Sequence, residues 1–261
     1  MVTGRVTPMY DRAARERALA LLATGVSLNA ASHRLGISRY TLREWRDDPA
    51  RALAARTHDC PRCSLPARDP DRSAYSHLLG LYLGDGCLGR LRKDVFSLRI
   101  FCDDRYPGLQ REVADAISSV HPDSKVFFVP QTGCTAVTNF WKHWPCLFPQ
   151  HGPGMKHTRS IVLEPWQREI VEQYPGRFLR GLFHSDGCRI TNWTVRTVAG
   201  IPKRYEYPRY FFTNASADIL RLCTETLDQL HIAWRQANPR QISVAQKAAV
   251  AALDVHVGPK Y

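Results

Sequence analysis

One short pattern occurs twice in this chain, and it constrains the fold more than any other feature. The first copy is Leu78-Leu79-Gly80-Leu81-Tyr82-Leu83-Gly84-Asp85-Gly86; the second is Leu179-Arg180-Gly181-Leu182-Phe183-His184-Ser185-Asp186-Gly187. Such a recurrence predicts a duplicated unit. Each copy follows a helix-start signal, Ser73 in the first and Pro175 in the second, and reads as an apolar helix ending on an acid and a glycine. The glycine is expected to stop the helix in the left-handed C′ conformation. Gly80 and Gly84, like Gly181 and Ser185, are four apart and share a face, so a second helix can approach closely there. The simplest partner for each copy is the other.

The acids carry chemical information. An aspartate in the last turn of a helix faces the negative end of the macrodipole and costs about 0.3–1 kcal/mol, so local stability does not select it. If the two helices pack side by side, Asp85 and Asp186 emerge at the same end and repel unless cations sit beside them. A hard divalent metal suits that arrangement, and Mg²⁺ suits it best, because it takes a few carboxylate oxygens and fills its other positions with water and phosphate oxygens.

At these residues the sequence resembles the LAGLIDADG homing endonucleases in their single-chain, two-motif form. The resemblance implies an α+β fold of two pseudo-symmetric αββαββα repeats, with the motif helices at the interface and the sheets forming a saddle over DNA. It also implies that the last acid of each motif, here Asp85 and Asp186, holds the catalytic metal. The sixth motif position, often acidic in that family, is Leu83 in one copy and His184 in the other.

Charge points to the same partner. The formal net charge is +12, carried by 29 Arg and 7 Lys against 24 Asp and Glu, and arginine matches phosphate and guanine geometry best. Double-stranded DNA is therefore the expected partner. No apolar run of membrane-spanning length, signal peptide or Lys-rich amphipathic helix is present, so no membrane association is expected. A cytoplasmic, bacterial nucleoid-associated monomer with internal pseudo-twofold symmetry is expected.

Residues 1–50 read as a small all-α unit. Ala18, Leu19 and Leu22 mark one helix and Leu28, Ala31 and Leu35 a second; Ser27 and Ser38 stand at N-cap positions, and Leu42 and Trp45 point inward from a third. The spacing resembles a helix-turn-helix. On the opposite face of the third helix Arg39, Arg43 and Arg46 recur with Tyr40 beside them, as a helix lying in the major groove requires. A solvated arginine face on a helical cap is the plainer alternative. Residues 51–72 read as a linker holding Cys60-Pro61-Arg62-Cys63. That spacing is half of a tetrahedral Zn²⁺ site; a full one needs four ligands, and His58 would be a cramped third. The eight Cys, in a chain without a secretion signal, are expected as reduced thiols, metal ligands or small core residues.

The first repeat is expected over 73–155, a connector over 156–174 and the second repeat over 175–261. Strands are predicted at Val95 to Cys102, Lys125 to Val129, Cys134 to Phe140, Arg189 to Val198, Tyr207 to Thr213 and, as a pair, Ala233 to Ala245, with helices at Tyr106 to Val120 and Ala217 to Leu230. Pro202, Lys203 and Arg204 mark a hairpin tip. Arg99, Arg189, Arg196, Lys203 and Arg204 are the expected DNA contacts of the sheets. A second internal match supports duplication: Val137-Thr138, Lys142 and Gly152-Pro153 recur as Ile242-Ser243, Lys247 and Gly258-Pro259. Family members place a basic residue beside the active-site water, and Lys142 and Lys247 are the candidates for that role.

Together these features predict a metal-dependent endonuclease that cuts both strands of a long duplex site, a free-standing enzyme of a mobile genetic element. Two other classes remain open: a transcriptional regulator that uses the fold only to bind DNA, and an RNA maturase.

Overall fold

The structure is a computed structural model that describes residues 10, 12–53, 60–63, 67–122 and 124–261. His58 lies outside the described residues. The chain divides into two compact units, Met1–Asp59 and Cys60–Tyr261.

The first unit contains α1 (Arg12–Ala23), α2 (Leu28–Leu35), α3 (Arg39–Asp47) and the short α4 (Pro49–Leu53). The Ser27 hydroxyl accepts from Ala30 N–H and the Ser38 hydroxyl from Thr41 N–H, satisfying donors that α2 and α3 would otherwise leave open. Ala18, Ala31, Ile37 and Leu42 form a small core, and Trp45 packs edge-on against Tyr10 with ring centroids 5.4 Å apart. Arg39, Tyr40 and Arg43 are exposed on α3 and line an open cleft of about 680 Å³.

The second unit repeats one element order. Its first half is α5 (Arg72–Leu83), β1 (Gly86–Arg90), β2 (Phe96–Asp103), α6 (Pro107–Val120), β3 (Phe127–Gln131), β4 (Cys134–Trp141) and α7 (Trp144–Leu147). After α8 (Pro165–Gln173), the second half runs α9 (Pro175–Asp186), β5 (Gly187–Val198), β6 (Ile201–Thr213), α10 (Ala217–Gln229), β7 (Arg235–Asn238), β8 (Gln241–Val244) and α11 (Lys247–Val257). Both sheets are antiparallel and share one strand order, β1-β2-β4-β3 and β5-β6-β8-β7. This is the expected α+β architecture of two αββαββα repeats.

The helices α5 and α9 lie at its centre. A Cβ on Gly80 would stand 2.4 Å from the Phe178 carbonyl oxygen and 3.0 Å from the Gly181 Cα, and one on Gly181 would stand 2.3 Å from the His77 oxygen. Gly84 faces Ser185 in the same way, its Cβ falling 2.2 Å from the Ser185 Cβ. Ser76 through Leu83 are buried, so α5 is covered all round and, apart from Ser76 and His77, carries no polar residue over that stretch.

Four details differ from the sequence expectations. Gly86 and Gly187 do not end their helices in the left-handed region; Gly187 has φ −103°, and both open strands. They are glycines because a Cβ would strike the preceding turn, 2.5 Å from Tyr82 Cα in one case and 2.6 Å from Phe183 Cδ1 in the other. The tip of the second hairpin is Ala199-Gly200, with φ 50° and 78°, and Pro202, Lys203 and Arg204 lie within β6, opposite Thr197, Arg196 and Val195. Two consecutive positive φ values match the tight turn whose twist suits antiparallel strands. The segment 156–174 contains the helix α8, whose Gln167 donates to the Tyr75 hydroxyl at 2.6 Å and so ties the connector to α5. Finally, Cys60–Cys63 belongs to the second unit, while α4 falls in the first.

Candidate active site at the ends of the paired helices

Asp186 is the last residue of α9, and Asp85 sits in the turn just after α5. Pairing of the helices therefore brings both acids to one end. A Cβ on Gly84 would already lie 3.2 Å from the Asp186 Oδ2. The Asp85 carboxyl is pushed up to about 6 by the protein atoms crowding it, then by the charge of Asp186, although its outer side reaches solvent. Burial raises Asp186 as well, against a 2.7 Å hydrogen bond from Asn214 Nδ2 and the charges of Lys156 and Lys260.

Two lysines stand with the acids. The Lys156 ammonium donates to the carbonyls of Tyr82, Leu83 and Gly84 at 2.5, 3.0 and 2.6 Å, taking up three C-terminal acceptors of α5. Lys260 donates to the Gly187 carbonyl at 2.9 Å, at the matching end of α9. Burial lowers both ammoniums, Lys156 to about 8, while the charges of Asp85 and Asp186 act the other way. Lys156 also lines, with Gly84, Asp186, Asn214 and Arg240, an open cleft of about 430 Å³.

Lys142 and Lys247, the lysines expected at the site, lie elsewhere. Lys142 is exposed just beyond β4, where its charge is felt by Asp94, and Lys247 is the exposed first residue of α11. The pair that stands with the acids also carries a signal in the sequence: Gly152-Pro153 and Gly258-Pro259 recur, and the next lysine after each is Lys156 and Lys260. Asn214 carried no such signal, since only the fold brings the end of β6 to the end of α9. At the sixth motif positions Leu83 and His184 are both buried. His184 is held down to about 4, mainly by burial, and is neutral at pH 7.

The donor set fits a hard cation. It offers two carboxylates whose protonation is favoured by crowding and, at Asp85, by the other's charge, and a cation between or beside them would relieve both effects.

Strand alternation sorts the expected DNA contacts. In the second sheet Tyr210 and Phe212 face the helices, so their partners and every second residue from them share that side: Arg189 opposite Tyr210, and Arg204 opposite Val195. Arg189 is held there by both oxygens of Asp254, at 2.8 and 3.0 Å, and Arg204 pairs with Glu206 at 2.7 Å. Arg196 and Lys203, paired with each other, lie on the face turned away from the helices, with Tyr205, Tyr207, Arg209 and, across the ladder, Arg235. Arg99 lies on the corresponding face of the first sheet, opposite Cys87 and Thr138. On α3, Arg46 is paired with Asp47 at 2.9 Å.

No protein-family model matches the chain, and no curated protein matches it. Among solved structures it is similar to mesophilic variants of the homing endonuclease I-DmoI, with TM-score 0.48 and 13% identity over 73% of this chain and 98% of that one. The homing endonuclease I-WcaI bound to its DNA recognition sequence gives TM-score 0.45 and 12% identity over 73% and 83% of the two chains. The N-terminal LAGLIDADG domain of DUF199/WhiA gives 0.41 and 13% over the same shares. With two motif helices packed through their small residues, two identical element orders and two matching sheets, the chain has the duplicated αββαββα architecture that its resemblance to the LAGLIDADG family implies.

Proposed function

We propose that this chain is a site-specific DNA endonuclease that hydrolyses both strands of a long duplex site with a divalent cation, Mg²⁺ or a similar hard ion, held by Asp85 and Asp186. The observation that carries this reading is the retention of both acids at one end of the helix pair, crowded enough to raise both carboxyls and flanked by two lysines. Structural stability alone would not keep such a set. A bound cation supplies a more acidic water and neutralises charge developing on the scissile phosphate.

The chain's own residues divide the remaining work. Asn214 orients the Asp186 carboxylate through its 2.7 Å hydrogen bond. Lys156 spends all three N–H donors on backbone carbonyls, so it acts through its charge and by fixing the turn that carries Asp85. Lys260 makes one such bond and keeps donors for a phosphate oxygen. Arg196, Lys203 and Arg235 supply phosphate and base contacts from the outer face of the second sheet, where Arg209 is buried against Ser243, and Arg39, Tyr40 and Arg43 supply more from α3. Among the described residues no helix is long and apolar enough to cross a membrane; the proposed place of work is the bacterial nucleoid.

One observation favours a second reading, a regulator that binds without cutting. On the outer face of the first sheet Arg99 is the basic residue among the strand positions, beside exposed Phe127, Val129 and Phe140, so the two sheets do not present equal surfaces to a duplex. Incubating the chain with a randomised duplex library and Mg²⁺, then sequencing new ends, separates the readings. An endonuclease gives recurrent paired ends; a regulator enriches a bound sequence without ends; affinity confined to RNA points to a maturase.

A further inference from the structure

Cys60 and Cys63 do not stand alone. His143 is the residue that caps α7 and Cys146 lies in its turn, and the Sγ atoms of Cys60, Cys63 and Cys146 and one ring nitrogen of His143 all lie within 4.8 Å of one another. Cys63 Sγ is 3.2 Å and Cys146 Sγ 3.9 Å from His143 Nδ1. A tetrahedral zinc with Zn–S of about 2.3 Å and Zn–N of about 2.0 Å needs edges of about 3.5 Å for sulfur to nitrogen and about 3.8 Å for sulfur to sulfur. We propose that Cys60, Cys63, His143 and Cys146 form a structural zinc site that pins the Cys60–Cys63 turn to the end of the first repeat.

Three features of the surroundings support a closed metal site. The backbone N–H groups of Arg62 and Cys63 point at the Cys60 sulfur, the arrangement that stabilises a thiolate at the first ligand of a Cys-x-x-Cys turn. Both halves are independently anchored. On one side Arg62 lies 4.3 Å over the Trp166 ring and pairs with Asp69, and Arg68 N–H donates to the Pro61 carbonyl at 2.7 Å. On the other, Trp144 is fully buried and donates to Asn139 at 3.1 Å, and the Cys146 N–H closes onto the His143 carbonyl at 3.0 Å. His143 and Cys146 thus project from one turn at i, i+3, as a ligand pair must.

Chemistry selects the metal. Three sulfurs and one imidazole in a tetrahedral set suit Zn²⁺ rather than a hard cation, and four protein ligands leave no open position for catalysis. Binding releases the three thiol protons, leaving three thiolates, a neutral imidazole and a site charge of −1. Without metal, the same cluster holds three neighbouring thiols, of which Cys63 is exposed and Cys146 half-buried. The metal would close a loop of some 80 residues between Cys63 and His143, which constrains the unfolded chain as a disulfide would, without needing an oxidising compartment.

The test uses the full chain, purified under reducing conditions from zinc-supplemented medium. The expected result is one zinc per chain that survives gel filtration with a weak chelator. Replacement by Co²⁺ should give the intense visible bands of tetrahedral cobalt and a near-ultraviolet thiolate charge-transfer band. Cys60→Ser and Cys146→Ser should lose the metal, whereas His143→Cys, Cys87→Ser and Asp85→Asn should keep it. If the serine variants do not fold, the parent chain supplies the answer: a strong chelator with reductant should lower its melting temperature, and equimolar Zn²⁺ should restore it. Substoichiometric zinc, a weak octahedral cobalt spectrum, a melting temperature indifferent to chelator, or a Cys60–Cys63 or Cys60–Cys146 disulfide in the purified chain would overturn the proposal. None of these readouts depends on DNA cleavage.

Discussion

Gly80 and Gly181 sit back to back at the centre of the second unit: a Cβ on either would fall within 3.0 Å of the other's Cα and nearer still to backbone carbonyl oxygens of the opposite helix. Because backbone atoms cannot rotate away, Gly80→Ala must push the helices apart. The expected loss is about 1–3 kcal/mol, read from urea or thermal melts.

Gly84 faces the Ser185 side chain, so its substitution should be rescued from the other helix. Gly84→Ala alone is expected to destabilise, and Gly84→Ala with Ser185→Gly to recover most of the loss. Additive losses in this double-mutant cycle would show that the two residues do not meet as described.

The acids give a pH signature. Asp85 titrates near 4 in the unfolded chain and near 6 in the fold, so between those values the folded state binds more protons. Stability should therefore fall as pH rises from about 4 to about 6 and stay lower above it; Asp186 acts in the same direction. Asp85→Asn is expected to flatten this slope and to match or exceed the parent's melting temperature at pH 7. Mg²⁺ should raise the parent's melting temperature at pH 7 more than the variant's.

Lys156 and Lys260, rather than Lys142 and Lys247, should matter for cleavage. Lys156→Met removes three charge-assisted hydrogen bonds to the end of α5, and each such bond is typically worth about 1.5–3 kcal/mol. It should therefore lower both stability and cleavage rate, whereas Lys142→Met and Lys247→Met should leave cleavage near the parent's. The lowered Lys156 group loses its proton near pH 8 in the fold and near 10.5 unfolded, so its contribution makes stability rise with pH across that window. Stopped cleavage assays and melts on the four variants separate these outcomes.

The two arginine environments of the second sheet predict different losses. Arg196→Ala should weaken DNA binding and reduce the slope of log affinity against log salt by about 1, with little change in stability. Arg189→Ala should leave that slope alone and lower stability, since it strips Asp254 of its bidentate partner. Fluorescence anisotropy across a salt series, with melts alongside, reads both.

Much of this architecture was legible because the decisive features are local. Small residues four apart, an acid and a glycine announce a close helix pair even without a partner in view, and alternation announced most strands. The strand β1 escaped because Gly86 and Gly89 interrupt its alternation. Pro202, Lys203 and Arg204 looked like a turn by composition, whereas the true turn needed only two positive-φ residues, one of them alanine. Lys142 and Lys247 recur in the repeats as Lys156 and Lys260 do, and sequence order alone does not say which pair the chain folds back onto the motif ends. Cys60 and Cys63 were visible as a half-set, but the residues that complete it lie far along the chain and become neighbours only through the docking of α7.

Asp85 and Asp186, on the reading proposed above, serve chemistry at the expense of stability. The most direct test of that reading is a paired measurement on Asp85→Asn and Asp186→Asn: cleavage of a duplex carrying the selected site with Mg²⁺, and a thermal melt at pH 7 without it. Both variants should lose double-strand cleavage, retain Mg²⁺-independent binding and melt at or above the parent's temperature. Variants that melt lower yet still cut both strands would contradict it.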